Sequence, residues 1–375
     1  MAGIKLNLKD ALLIKATSGI DFKRVKGKSS SGVSFIWSSP ITITVDSSIS
    51  NIAFVLVRGA STIFWGDGSK SQVPTSNNQF FSHTYSQIDT YDITIYPNES
   101  GLTCQTADNN IIGIKSFSFE FSQTPVIISS NLTSAPSYLP STTTDVSSLF
   151  NSASSFNDTN VTLWDTSSVT NMQSVFERAT NFNQNISSWD TSSVTNMKSV
   201  FERATNFNQN ISSWDTSSVT NMESLFEIAQ AFDQPIGSWS TSSVTNFRLV
   251  FRNAIAFNQD ISGWDTSSVT DMLSAFSGAT SFNQNLGSWD ISSVTTLSAM
   301  FNNSGMSTEN YSRTLIGWAN SHFAGNAQDN VPLGASGVTY NNTAYTTGNQ
   351  FNDAVSARAY LVGTAGWTIT DGGQV

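Results

Sequence analysis

The chain is poor in the residues that do chemistry. It has one cysteine, Cys104, and two histidines, His83 and His322, among 375 residues. A lone cysteine excludes an internal disulfide and a thiolate metal cluster. The histidines form no Ser-His-Asp spacing, so acid–base work would fall to carboxylate pairs, and no pair stands out. Charged residues make up only 12 %, with a net charge of −10. Long apolar runs are missing as well. The longest near the start, Ala11-Leu12-Leu13-Ile14, ends at Lys15. That is too short for a signal-peptide core or a membrane span. Sustained heptads are absent, which excludes a coiled coil.

The charge that exists is unevenly placed. Lys5, Lys9, Lys15, Lys23, Arg24, Lys26 and Lys28 face only Asp10 and Asp21 in residues 1–28, a net +5 that leaves −15 for the rest. The body therefore lacks the clustered cations that nucleic acid requires. The basic segment is a candidate docking arm for a larger assembly, with a poorly ordered terminus as the plainer reading. The composition looks extracellular, yet no export signal is visible. A virion protein released by lysis reconciles the two, as does a chain whose leader has been removed.

Six tryptophans recur every 25 residues: Trp164, Trp189, Trp214, Trp239, Trp264 and Trp289. A fixed period of this length indicates a stacked-coil solenoid, in which neighbours share one core. Residues 176–200 and 201–225 differ only at Lys198/Glu223 and Val200/Leu225, so 23 of 25 positions match. The tryptophans share the phase of the Phe, Ile, Met and Val columns and are assigned to the core. In each coil, residues such as Met197, Val200, Phe201 and Ala204 have the spacing of one face of a short helix. Thr195 is its expected N-cap, and Thr220 with Glu223 has capping-box spacing. Asn183/Gln184 and their copies read as an amide ladder between coils. Asp165, Asp190, Asp215, Asp265 and Asp290 read as Asx-turn acceptors, with a calcium-bridged ladder as the sharper alternative that Ser240 interrupts.

The variable positions are the expected exposed ones. Gln173, Lys198, Glu223, Arg248 and Leu273 form one column. Glu177, Glu202 and Glu227, with Arg178 and Arg203, form a second mixed stripe. Gln173, Lys198, Glu223, Arg248, Glu177, Arg178, Glu202 and Arg203 are the candidate recognition surface.

Before the repeats, residues 41–128 alternate as strands, among them Ile41–Val45, Ile52–Val57, Tyr91–Ile95 and Phe117–Phe121. They predict an antiparallel β-sandwich. Phe64-Trp65-Gly66-Asp67-Gly68-Ser69, His83-Thr84-Tyr85 and Tyr91–Ile95 resemble the PKD-type immunoglobulin-like domain, which implies a structural role for His83. Residues 129–144, with Pro136 and Pro140, read as a linker. Residues 302–375 read as a C-terminal cap, with short helices around Tyr311–Ala319 and Ala357–Leu361 and strands at Val338–Tyr340 and Gly366–Thr370.

The repeat resembles that of BspA-like leucine-rich-repeat surface proteins. Phe257-Asn-Gln-Asp-Ile-Ser-Gly-Trp-Asp-Thr-Ser-Ser-Val-Thr-Asp-Met272 carries the likeness. The resemblance covers about 145–375 and implies a right-handed leucine-rich-repeat-like solenoid with an adhesion or host-contact role and no catalytic residues. The resulting fold class is α+β multidomain. It comprises an arm (1–40), a PKD/Ig-like β-sandwich (41–128), a linker (129–144), a solenoid (145–301) and a cap (302–375). The expected function is a non-enzymatic phage virion appendage, a fibre or capsid decoration, displaying the solenoid for host adhesion. The alternative is a secreted bacterial cell-surface adhesin. The expected partners are a virion scaffold protein at the N-terminal region and a host-surface protein or glycan at the solenoid. Neither nucleic acid, membrane insertion, metal nor cofactor is expected, and a homo-oligomer is left open.

Overall fold

The computed structural model describes residues 27–28, 34–35, 41–47, 52–58, 61–73, 79–97, 103–106, 111–116, 126–127, 129–345 and 347–375. Two compact units are distinguished, Met1–Ser39 and Pro40–Val375. In the first, β1 (Gly27–Lys28) pairs with β2 (Ser34–Phe35) antiparallel. Of the candidate arm, Lys5, Lys9, Lys15, Lys23, Arg24 and Lys26 lie outside the described residues, and Lys28 falls in β1. The expected strand Phe117–Phe121 also lies outside them.

The second unit opens with two sheets. Its strands are β3 (Ile41–Asp46), β4 (Ile52–Arg58), β5 (Ser61–Phe64), β6 (Lys70–Val73), β7 (Gln79–Thr84), β8 (Thr90–Pro97), β9 (Thr103–Thr106), β10 (Ile111–Ser116) and β11 (Val126–Ile127). One sheet has the order β10-β3-β8-β5-β6 and the other β11-β9-β4-β7. The alternation along β8 is physical: Ile93 and Ile95 are fully buried, while Asp92 and Thr94 face the other way. Side chains of the two sheets meet at Trp65, which stacks on His83 at 5.2 Å and accepts the Tyr85 hydroxyl on its carbonyl at 2.9 Å. Gly66 is needed there, because its φ is +90° and a Cβ would sit 2.8 Å from the Asp92 carbonyl.

Residues 129–144 are not a free linker. Leu132 and Ser129 are fully buried, and Leu139 and Thr143 nearly so. Ile114 of β10 donates to the Ser134 carbonyl at 3.0 Å, and Thr133 donates back to Ile112 at 2.9 Å. On the other side Trp164 donates its indole N–H to the Pro136 carbonyl at 2.8 Å. The two prolines remove donors from a segment whose carbonyls are still used, so it folds as part of the stack.

In the repeats, successive coils hydrogen-bond to one another in one register. The amides of Met172, Ser174, Phe176 and Arg178 donate to the carbonyls of Asn196, Lys198, Val200 and Glu202 at 2.7–3.0 Å. The alternate amides of Val175, Glu177 and Ala179 close local turns on Met172, Ser174 and Phe176. This corrects the expected helix. Apart from a 3-10 helix at Thr159–Leu163, the stretch 145–301 holds no helix. Ser199 and Arg203 have positive φ (56° and 58°), and their counterparts in neighbouring coils do the same. A left-handed residue every fourth position breaks an α-helix but preserves the i, i+3, i+4, i+7 pattern of inward side chains. Thr195 is accordingly no N-cap; its hydroxyl donates to the Thr170 carbonyl at 3.3 Å. The local acceptor is Asn196, whose side chain takes the Lys198 amide at 3.1 Å. Likewise Asn221, not Thr220, takes the Glu223 amide at 2.9 Å.

The aromatic columns fill the core. Within a coil Phe176 stacks on Phe182 at 3.7 Å, and between coils Phe176 stacks on Phe201 at 5.9 Å. Trp189 lies 6.4 Å from Trp214 with planes 3° apart. Offset stacking of this kind adds to plain area burial.

The C-terminal region comprises α1 (Thr308–Phe323), β12 (Pro332–Ala335), α2 (Ala354–Gly363) and β13 (Thr368–Asp371), with β12 and β13 parallel. The expected strand at Val338–Tyr340 lies instead at β12. The last coil sets that position: Leu297, Phe301 and Asn303 donate to the carbonyls of Pro332, Gly334 and Ser336 at 2.8–2.9 Å. Those amides would otherwise be buried without acceptors.

Candidate functional site

The outward positions of each coil fall into two stretches of different character. The first carries the Asp column, interrupted at Ser240. Asp190 accepts the Ser192 amide at 3.0 Å and its hydroxyl at 2.6 Å, and Asp165, Asp215 and Asp265 do the same with their serines. These are Asx turns. The serine hydroxyl and amide hold the Asp165, Asp215 and Asp265 carboxyls below their ordinary value. The neighbouring amide ladder is continuous. Asn183, Asn208, Asp233, Asn258 and Asn283 each accept the backbone amide one coil further on at 2.8–3.0 Å.

The second stretch carries the candidate recognition residues, and the structure brings them together as pairs. Lys198 reaches Glu223 at 2.9 Å across one coil boundary. Arg248 approaches Asp271 at 3.9 Å. Arg178 and Arg203 each stand 3.6 Å from the preceding residue, Glu177 and Glu202. Gln173 accepts the Asn196 side-chain amide at 3.2 Å. Sequence reasoning missed Arg252, which pairs with the buried Glu227, itself bonded to the Ser224 hydroxyl at 2.7 Å. The signal was available: Glu227 and Arg252 occupy the same column as Glu177 and Glu202. Burial pushes the Glu202 carboxyl above its ordinary value, with Glu177 and Glu227 in the adjacent coils adding to the effect.

The six repeat tryptophans are 2–4 % exposed, and each indole N–H donates to a carbonyl of the preceding coil. No indole face is presented to a ligand. The two histidines are engaged in local contacts. His83 lies 2.6 Å from Asp67. His322 lies 3.1 Å from the Tyr360 hydroxyl and 2.9 Å from Asp329. Burial works against ionisation of Asp67, but hydrogen bonds from the Ser69 hydroxyl and amide and from His83 outweigh it and hold the carboxyl at about 2. In the cap, Arg358 and the Tyr311 hydroxyl converge on Asp371 at 2.8 and 3.2 Å. Among the described residues no group of three or more His, Cys, Asp or Glu could hold a metal ion, and no helix is long and apolar enough to cross a membrane.

A family model described as "Mycoplasma protein of unknown function, DUF285" matches residues 144–254 and again 234–329. The coils lie within the residues that this model matches. The second match runs beyond the last tryptophan coil through α1. No curated protein and no solved structure matches the chain.

Proposed function

We propose that the chain is a non-enzymatic, surface-exposed binding and structural protein. In this reading the DUF285-type coils form a right-handed solenoid that works as a stiff display rod. The two sheets before it form a PKD/Ig-like sandwich that joins the rod to its carrier. The observation that carries the reading is the division of labour among polar side chains. The recurring Asn, Ser and Thr columns are consumed in bonds that hold coils together, such as Asn208 to Asn183 and Ser193 to Ser167, and the recurring Asp residues in Asx turns within each coil. The lysines and arginines of residues 145–301 are confined to the stretch around Lys198, Arg203 and Glu223, where Lys198 and Glu223 are also the one outward difference between the two near-identical units 176–200 and 201–225. A scaffold that keeps its frame constant and varies one outward stretch suits recognition.

Two carriers fit. The basic segment before residue 29 supports docking on a virion scaffold protein, the rod then being a fibre or capsid decoration. The second is a bacterial cell-surface adhesin; the family description names a Mycoplasma protein of unknown function, which supports a bacterial source only. Immunogold labelling with antibodies to the coils, applied to cells and released particles of the source culture, tests both. Label on particle appendages supports the first carrier and label on the cell exterior the second. Label confined to the cell interior sinks the proposal.

A further inference from the structure

Residues 145–301 contain five lysines and arginines, and all five fall in the variable stretch. Lys198 and Arg248 share one column, Arg178 and Arg203 another, and Arg252 follows Glu177, Glu202 and Glu227. The stretch carrying Asp165, Asp190, Asp215, Asp265 and Asp290 has no cation. Each of the five cations has a carboxylate neighbour, so the variable stretch is close to neutral by count. The two signs differ in height, however. The Arg178 side chain is 56 % exposed against 18 % for Glu177, and Arg203 is 45 % against 18 % for Glu202. The other three pairs keep the same order. In all five, the cation stands outside and the acid lies beneath.

The acids are tied down by the frame. Glu177 accepts the Asn151 side-chain amide at 3.0 Å from the preceding coil, and Glu227 accepts the Ser224 hydroxyl. At 3.6 Å, the Arg178 and Arg203 contacts to their acids are longer than hydrogen bonds, so their guanidinium donors are little used there. A partner approaching this stretch therefore meets donors first.

We infer that the variable stretch docks an anionic polysaccharide laid along the stack, held by the guanidiniums of Arg178 and Arg203. This rests on the adhesive reading above and names its ligand class. Guanidinium forks match planar carboxylate and sulfate groups. Cations recurring from coil to coil suit a polymer whose charge also recurs, so several weak contacts add by avidity. The Asp stretch repels a polyanion, which restricts it to one side. Three residues after Arg178 and Arg203, Asn181 and Asn206 are exposed. Amides suit sugar hydroxyls, whereas a protein partner would call for apolar anchors.

The test is binding of the full chain to polygalacturonate, a carboxylated glycan, and to heparin, a sulfated one. Dextran is the neutral control and poly-glutamate the acidic polypeptide. The expected result is binding to a charged glycan, none to dextran, and weaker binding to poly-glutamate. Arg178→Gln/Arg203→Gln is expected to lose about tenfold or more, the scale of a lost charge-assisted contact. Arg178→Lys/Arg203→Lys keeps the charge and is expected to bind better than the glutamine variant, which separates lost charge from lost folding. Asp190→Asn/Asp215→Asn is expected to bind no worse. No binding to either charged glycan at low salt, unchanged affinity in the glutamine variant, or tighter binding to poly-glutamate overturns the inference. Adhesion of the same proteins to whole cells, measured in parallel, separates the two claims. If wild type and the glutamine variant adhere equally, this inference fails and the adhesive reading stands. If no form adheres to any surface, the adhesive reading fails.

Discussion

The indole N–H of Trp318, on helix α1, donates to the Leu286 carbonyl at 3.0 Å. Trp289 makes the same bond to Ile261, Trp264 to Ile236 and Trp239 to Ile211. Trp318 thus takes the seventh place in the indole ladder although it lies 29 residues after Trp289, outside the 25-residue period. Asn310 completes the imitation, because its side chain bonds to Asn283 where a repeat would place a glutamine. The cap ends the stack by reproducing the contacts of another coil in helical form.

Replacing Trp214 by phenylalanine keeps the stacking but removes the indole bond to the Ile186 carbonyl, which retains the Trp189 amide as a donor. The expected cost is about 0.5–1.5 kcal/mol, the net contribution of one hydrogen bond. Chemical denaturation followed by circular dichroism measures it; an unchanged midpoint shows that the bond adds nothing.

Gly317 lets α1 approach the last coil. A Cβ at this position would clash with the carbonyl oxygen, Cα and carbonyl carbon of Gly287, all within 2.6 Å. Gly317→Ala is therefore expected to push α1 outward and loosen the Trp318 bond, at a cost above about 1–3 kcal/mol, the usual range for overpacking, because both sides of the clash are backbone. Hydrogen exchange should show lost protection in 308–323 before the central coils change.

Ile228 occupies a left-handed position, with φ at +60°, where other coils place Arg178, Arg203, Asn253 and Gly278. A β-branched residue is strained there. Ile228→Asn is expected to raise stability by about 1 kcal/mol, in line with the cost of a left-handed residue. A fall in melting temperature would show that Ile228 packing outweighs the strain.

Two carboxylates carry opposite pH signatures. Asp67 is held at about 2, against an ordinary value of 3.8, so its contribution is present above that ordinary value and is lost as pH falls towards 2. Asp67→Asn should flatten the acid limb of the Trp65 fluorescence transition. Glu202 is raised, so its protonated form favours folding, and that benefit is lost as pH rises through its folded-state value. Glu202→Gln should raise the melting temperature at pH 7, with the gain shrinking as pH falls towards 4.5, the ordinary value of a glutamate. An equal gain at both pH values refutes the electrostatic account.

The inward set of the repeats was legible because burial follows spacing. Phe201, Ile211 and Trp214 recur in phase, and a residue repeated in phase with the core columns has to face the core. The backbone conformation that carries them was not legible. Met197, Val200, Phe201 and Ala204 have helical spacing, yet the amide of Phe201 has its acceptor 24 residues ahead, at Leu225. Spacing reports which way a side chain points, not where an amide finds its carbonyl. The recognition columns were found for the reason that they vary, but their pairing and relative height were not.

From the chain alone came the 25-residue unit, its apolar columns, the Asx turns at Asp190 and its copies, and the poverty of chemical side chains. All of these are set by residues close in sequence or repeated in phase. Tertiary structure decided that residues 129–144 join the stack, that β12 rather than Val338–Tyr340 closes it, and that arginine tips stand above their acids. The first two depend on partners about 20 to 40 residues distant, such as Ile112 for Thr133 and Pro332 for Leu297, and the third on the preceding coil, where Asn151 holds Glu177. Only the folded register brings those groups within hydrogen-bonding reach.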